Sequence, residues 1–230
     1  MSHEKTLFLE KADTITQDST HIAKLTRATN NHRTAVSAMT ATQFRDWQEA
    51  RKQAAAVKDY ALAHLPDLLE TFEEKLTARG GKVLWAEDAA EAQQHVLAIL
   101  KEVGARKIVK SKTMVSEEIE LNELLEEHKY EVLETDLGEL IVQLAGEKPY
   151  HIVTPAMHKT KEEIGELFHQ TLHTPRTDDA EELTMAAREH LRQQFVTADV
   201  GITGCNFLIA DQGAIAVTEN EGNARLTMSC

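Results

Sequence analysis

An α/β fold, with an open, mostly parallel sheet, flanking helices and C-terminal antiparallel strands, is what this 230-residue chain predicts. Three observations carry that expectation. From residue 82 to residue 203, short β-branched runs alternate with stretches of helical period, the spacing of strand–helix–strand units joined by right-handed crossovers. Beyond residue 199 the apolar runs are too close together for crossover helices, and Gly, Asn and Asp turns separate them, so hairpin pairing is expected. Finally, 42% hydrophobic and 27% charged residues at this length suit one large domain with a real core.

Residues 1–41 are polar, Thr-rich and without a sustained period, and predict a loose or partner-dependent arm with short helical pieces. A domain over residues 42–230 follows. Phe44, Trp47, Ala54, Val57, Tyr60 and Ala61 give an intermittent apolar helical face through Leu65. Pro66 opens a second helix, where its missing N–H does no harm; Leu65, Leu68, Leu69, Phe72 and Leu76 form the stripe, and Gly80-Gly81 ends it. Residues 82–86 (KVLWA) predict the first strand, and Ala92, Val96, Ile99, Leu100 and Val103 line a helix ending at Gly104. Residues 107–111 (KIVKS) predict the second strand. A helix from Ser116 to about residue 128 follows, with Glu117, Glu118 and Glu120 favouring its positive end. Residues 131–135 predict the third strand, 138–145 a short helix, and 150–154 (YHIVT) the fourth strand, with His151 read as a core residue. Helices over about 159–172 and 179–195 lead to a fifth strand at 199–203. In the tail, strands at 206–210, 214–218 and 224–228 are joined by an Asp211-Gln212-Gly213 hairpin turn and a five-residue turn over 219–223.

Composition excludes several function classes. The net charge of −13 is uneven, +2 over residues 1–60 and −15 over residues 61–230. An acidic body repels a phosphate backbone, which argues against nucleic acid as a partner. No apolar run approaches the ~20 residues of a membrane span, and the N-terminus lacks the apolar core of a secretory signal. Cys205 and Cys230 are the only cysteines, so a disulfide scaffold, a Cys-rich zinc site and an iron–sulfur cluster held by this chain alone are all excluded. A cytoplasmic protein with free thiols is the expectation, with Cys205 read as a small buried hydrophobe.

In an open parallel sheet, ligands bind beyond the carboxyl ends of the strands. Lys110, Ser111, Lys112 and Thr113 follow the second strand, offering two cations and two hydroxyls ahead of a helix N-terminus, a setting for a phosphate or carboxylate. Asp136 follows the third strand and reads either as a ligand group or as a helix cap. His158, in the loop after Pro155, is a candidate base near pH 7 or a solvated loop residue. Gly204 allows backbone N–H groups to approach a ligand, with Asn206 just beyond. Glu219, Asn220, Asn223 and Arg225 crowd a turn that needs fewer polar groups than it carries. No Walker loop and no GxGxxG occurs, so dinucleotide binding has no motif, and no metal set is read.

Three segments, SKTMVSEEIELN (111–122), ETDLGELIVQLAGEKPYHIVTPAMHKTKEEI (134–164) and ADVGITGCNFLIADQGAIAVTENEGNARL (198–226), closely resemble the lactate-utilization protein B family, whose N-terminal part is a LUD domain. The likeness covers most of residues 42–226. It implies a fold similar to sugar-phosphate isomerases and CoA transferases. It also implies a place, with sibling subunits, in a three-component system oxidising L-lactate to pyruvate. The family's C-terminal ferredoxin-like domain carries two CxxCxxCxxxCP-type sets, taken to bind 4Fe-4S clusters. This sequence ends at Cys230 without them, so a LUD domain truncated at its C-terminal end, binding no cluster alone and leaving an exposed sheet edge, is expected. Three functions follow as expectations. In a lactate-oxidation component, Lys110, Lys112 and Arg225 clamp a small carboxylate and His158 is the base. In a CoA or sugar-phosphate enzyme, Glu219 is the nucleophile or base. In a non-catalytic scaffold, the edge and basic arm bind partner subunits.

Overall fold

The computed structural model describes residues 3–150 and 154–230. At its centre is a parallel three-stranded sheet, β1 (Lys107–Lys110), β2 (Glu131–Glu134) and β3 (Val200–Ile202), in the order β2-β1-β3. Registers pair Lys110 with Glu134 on one side and with Ile202 on the other. Ile108, Val109 and Lys110 are all buried, the mark of a parallel strand covered on both faces. Adjacent side chains on a strand point to opposite faces. Accordingly Val132 joins a cluster with Leu100, Ile108, Leu121 and Leu125, whereas Leu133 packs with Leu140, Ile141, Phe168 and Leu183. The first cluster draws on α5 (Ala89–Glu102) and α7 (Leu121–Glu127); the second on α8 (Leu137–Ala145), α9 (Lys161–Leu172) and α10 (Ala180–Thr197).

The expected hairpin forms a second sheet, β4 (Phe207–Ile209) antiparallel to β5 (Ala214–Ala216), turning through a 3-10 turn at Ala210–Gln212. Gly213, at φ 56°, lets that turn lie against α4 (Leu65–Ala78): a Cβ there would stand 2.4 Å from the Leu76 nitrogen.

Several expectations are corrected. Residues 82–86 form no strand. They run between α4 and α5 without pairing to any strand among the described residues, held by Trp85 Nε1 donating to Glu73 Oε2 at 3.0 Å and by His95 Nε2 against the Trp85 carbonyl at 2.9 Å. The loose arm is instead α1 (His3–Gln17) and α2 (Ser19–Gln43), with Asp18 accepting from the His21 N–H as the cap of α2. Its period was disguised because the half-buried stripe of α2 contains polar members, His21, Lys24 and Thr29 beside Leu25 and Ala28. The next helix, α3, spans Trp47–Ala63. The helix expected from Ser116 to 128 is two, α6 (Met114–Glu118) and α7, broken where Glu120 adopts φ 50°. The final strand is a helix, α11 (Asn223–Thr227), in which Ala224 and Thr227 are buried three residues apart. Cys205 is exposed rather than buried. The expected fourth strand lies mostly, and His151 entirely, outside the described residues.

Candidate functional site

The carboxyl ends of β1, β2 and β3 meet under α6, α8 and α11. Pairing continues one residue past each strand: the Ser111 N–H donates to the Ile202 carbonyl and the Thr135 N–H to the Lys110 carbonyl, both at 2.8 Å. The side chains that follow therefore line up. The Ser111 and Thr203 hydroxyls lie 2.5 Å apart, those of Thr135 and Thr227 3.2 Å apart, and Asn223 Nδ2 is 3.5 Å from Thr135 Oγ1. Two glycines permit this convergence. A Cβ on Gly201 would stand 1.7 Å from the Thr227 carbonyl oxygen, so α11 packs on β3 only because that residue has none. A Cβ on Gly204 would stand 2.9 Å from Thr113 Cβ, so the space beside Gly204 brings the β1 and β3 loops together.

Beside the hydroxyls stands the N-terminus of α8. Asp136 caps it, accepting from the Glu139 N–H at 3.1 Å, and Glu221 Oε2 accepts from the Leu137 N–H at 3.2 Å. Both carboxylates meet orphan donors at the positive helix end. Lys112 Nζ lies 4.0 Å from Glu139 Oε1. Burial, reinforced by the charges of Glu134 and Glu117 and offset in part by Lys112 and Lys110, pushes the Glu139 carboxyl up to about 7. Replacing Asp136 by Ala is expected to lower stability by about 1 kcal/mol through loss of the cap, measured by urea denaturation.

Beneath this mouth is a buried polar network. Lys110 has no exposed surface; its ammonium lies 2.7 Å from Glu134 Oε1 and donates to Ser116 Oγ at 3.0 Å. Asn122 Nδ2 donates to the same Glu134 oxygen at 2.8 Å, and burial still raises the Glu134 carboxyl above its ordinary range despite Lys110. From α8, Gln143 accepts from the Glu134 N–H and donates to the Val132 carbonyl, each at 3.0 Å, satisfying the outer edge of β2. Alongside opens an acid-lined cavity of about 370 Å³, with Glu117, Glu123, Glu134, Glu139 and Glu147 among its walls.

The remaining predicted groups are engaged in other contacts. His158 belongs to a second cluster: its Nε2 lies 2.6 Å from Glu147 Oε2, and its ring packs tilted at 53° against Tyr150 with centroids 5.0 Å apart. Glu147, just past the C-terminal end of α8, is about 13 Å along that helix from Asp136. Although burial pushes its carboxyl up, hydrogen bonds from Lys159 and His158 hold it below the ordinary range. Glu219 accepts from the Arg225 N–H at 2.9 Å and faces the Arg225 guanidinium at 3.5 Å, so these two neutralise each other. Asn206 closes the open end of the hairpin, its Oδ1 accepting from the Thr218 N–H at 2.7 Å, and Asn220 is exposed at the turn.

Comparison with known families settles the lineage, because residues 69–230 match the LUD domain. The chain belongs to the LUD domain family. Proteins named Lactate utilization protein B resemble it over most of its length. The one from Bacillus velezensis is 47% identical over 187 residues, covering 81% of this chain and 39% of that protein. The one from Oceanobacillus iheyensis is 46% identical over 82% of this chain and 40% of its own, and that of Bacillus subtilis 45% over 81% and 39%. This LUD chain thus spans about two fifths of the length of those relatives. No solved structure matches it.

Of the residues singled out from sequence, this LUD domain brings together Ser111, Lys112, Thr113, Asp136, Gly204 and Asn223, with Lys110 sealed beneath them. Sequence reasoning placed Glu139 at the rim and Glu221 in the crowded turn without giving either a role, and missed Glu134. A signal existed for Glu134: in the strand EVLE it shares the face of Val132, and an acid on an apolar face asks for a partner.

Proposed function

We propose that this LUD domain serves an iron–sulfur system oxidising L-lactate to pyruvate, and that it receives the small carboxylate at the mouth where β1, β2 and β3 end. The observation carrying this reading is the 47% identity, over 81% of the chain, to a protein named Lactate utilization protein B. Oxidising a 2-hydroxy acid removes two electrons and two protons, one from the hydroxyl and one from carbon. Its site therefore needs a cation for the carboxylate and a group able to take a proton near neutral pH. In this reading Lys112 holds the carboxylate, the Ser111 and Thr203 hydroxyls and the Asn223 amide orient the substrate, Glu139 takes the hydroxyl proton, and the carbon-bound hydrogen with the two electrons passes to an acceptor of the iron–sulfur system that these residues do not supply. Glu139 suits the role through its carboxyl at about 7 and its place 4.0 Å from the Lys112 ammonium. His158, engaged with Glu147, is left outside the reaction.

A 4Fe-4S cluster takes four thiolates, whereas these 230 residues hold two cysteines. They do not fit such a cluster, and the reading assigns them no electron-transfer step.

Calorimetric titration with L-lactate, pyruvate and CoA tests the reading. Saturable heat is expected from L-lactate or pyruvate at about millimolar concentration or below. Lys112→Gln is expected to weaken it by roughly tenfold or more, the weight of one charge-assisted contact. Heat from CoA alone, or lactate binding indifferent to Lys112→Gln, would overturn it.

A further inference from the structure

Charge is divided between the two ends of this chain. Residues 19–58 carry seven Lys/Arg against two Asp/Glu, while residues 61–230 have a net charge of −15. The first half of α2 lies on the body through His21, Lys24, Leu25, Ala28 and Thr29, spaced as one helical stripe. Lys24 Nζ there reaches both Glu163 oxygens at 2.8 Å, and His21 Nε2 lies 2.8 Å from the Tyr150 hydroxyl. Past Thr29 the apolar face continues without cover. Val36 and Met39 are exposed on α2, and Trp47, Val57 and Tyr60 on α3, Met39 at 63% and Val57 at 68%. Neither α2 nor α3 has a buried residue. The same stretch carries exposed cations: Arg27, Arg33, Arg45, Arg51, Lys52 and Lys58.

A surface of the opposite make-up lies elsewhere on the same molecule. Over α6 and α7, Met114 and Val115 are exposed, 53% and 66%, beside exposed Glu118, Glu120, Glu123, Glu126 and Glu127. Residues 30–43 and α3 run about 21 and 26 Å as helices, each longer than α6 (about 8 Å) or α7 (about 11 Å).

We propose that a second copy of this chain covers the arm. The free part of α2 and α3 from one protomer lies across α6–α7 of the other, the apolar stripe on Met114 and Val115 and the cations against the glutamates. The reciprocal contact closes a two-fold dimer. Basic amphipathic helices also suit anionic lipid or nucleic acid. Here the arm is rooted on a body of −15, which repels both polyanions yet attracts the arm of a second copy. The proposal is independent of whether lactate binds.

Sedimentation velocity on the whole chain, at low and high salt, tests it. A dimer is expected at low salt, with a dissociation constant about tenfold or more higher at 0.5 M salt, where exposed charges are screened. Met39→Asp with Val57→Asp should yield monomers with an unchanged circular dichroism spectrum. Arg51→Glu with Lys52→Glu should yield monomers, as should Glu123→Lys with Glu126→Lys. Mixing these two charge-reversed forms should restore the dimer, since each arm then meets a face of opposite sign. A chain monomeric under all conditions, a dimer unmoved by the arm substitutions, failure of the mixture to associate, or binding to anionic vesicles without self-association would each overturn the proposal.

Discussion

Replacing Lys110 by Met is expected to cost this protein about 3 kcal/mol of folding stability or more, the usual penalty for stranding one member of a buried ion pair. The ammonium and its partner Glu134 are almost wholly out of water, with side-chain exposures of 0% and 3%. Met fills nearly the same volume, so packing survives while the carboxylate loses its counter-charge and its strongest donor. Asn122 still donates to Glu134 Oε1, but an amide does not offset a buried negative charge. Burial already raises the Glu134 carboxyl with Lys110 present, and its removal raises it further. The loss should therefore be smallest in acid, where Glu134 is neutral, and grow with pH. Adding Glu134→Leu to Lys110→Met should recover most of the stability, because an apolar pair of similar volume leaves no charge unpaired. Urea denaturation of both variants and the wild type at pH 5 and pH 8 measures this. Equal losses at both pH values would mean that Lys110 acts by packing alone.

That pair also shows where the sequence stops being readable. The strands KIVK and EVLE are recognisable from their β-branched runs, and their parallel pairing from the helices between them. What the sequence does not state is register. Lys110 and Glu134 are opposite partners only in the alignment that pairs Lys107 with Glu131, and a slip by one residue would turn each charge to the other face. Without register, Lys110 looked like an accessible cation at a strand end. The rim itself was legible because its position follows from topology: Ser111, Lys112, Asp136 and Gly204 stand where parallel strands end. His158 was not separable from it, because its neighbour Glu147 becomes visible only once the loops are folded, whereas Arg225, which pairs with Glu219, stands beside the same turn. The tail misled for a similar reason. Alternation in NARLT suits a strand, but burying Ala224 and Thr227 against β1 and β3 requires the three-residue spacing of a helix. Residues 82–86 failed as a strand because β propensity measures fit to a paired surface, and no strand among the described residues pairs with them.

Glu139 should give the protein a pH dependence opposite in sense to ordinary acid denaturation. Its carboxyl moves from an ordinary 4.5 to about 7, chiefly through burial, then through the charges of Glu134 and Glu117. Below pH 4.5 folded and unfolded chains both hold the proton and Glu139 is neutral to stability. Between 4.5 and 7 the unfolded chain releases it first, so the folded state weakens as pH rises. Above 7 both are ionised and the full penalty, roughly 3 kcal/mol, is in force. Glu147 and Glu163, held below the ordinary range by lysine partners, act in the other direction and lose their contribution as pH falls. Both are about half exposed, so their share is small. The cleanest reading is therefore the difference between wild type and Glu139→Gln, which keeps the shape and removes the charge. The variant should match the wild type near pH 4.5 and exceed it by up to about 3 kcal/mol by pH 8 in urea denaturation. Because Glu134 and Glu139 repel, removing one charge eases ionisation of the other, and the transition belongs to the pair. Lys112→Gln provides the opposite check: losing the cation 4.0 Å from Glu139 Oε1 should move the midpoint of the pH dependence upward. A stability difference that stays flat across this range would show that Glu139 is ionised throughout, and would remove the group to which the proposed function assigns the hydroxyl proton.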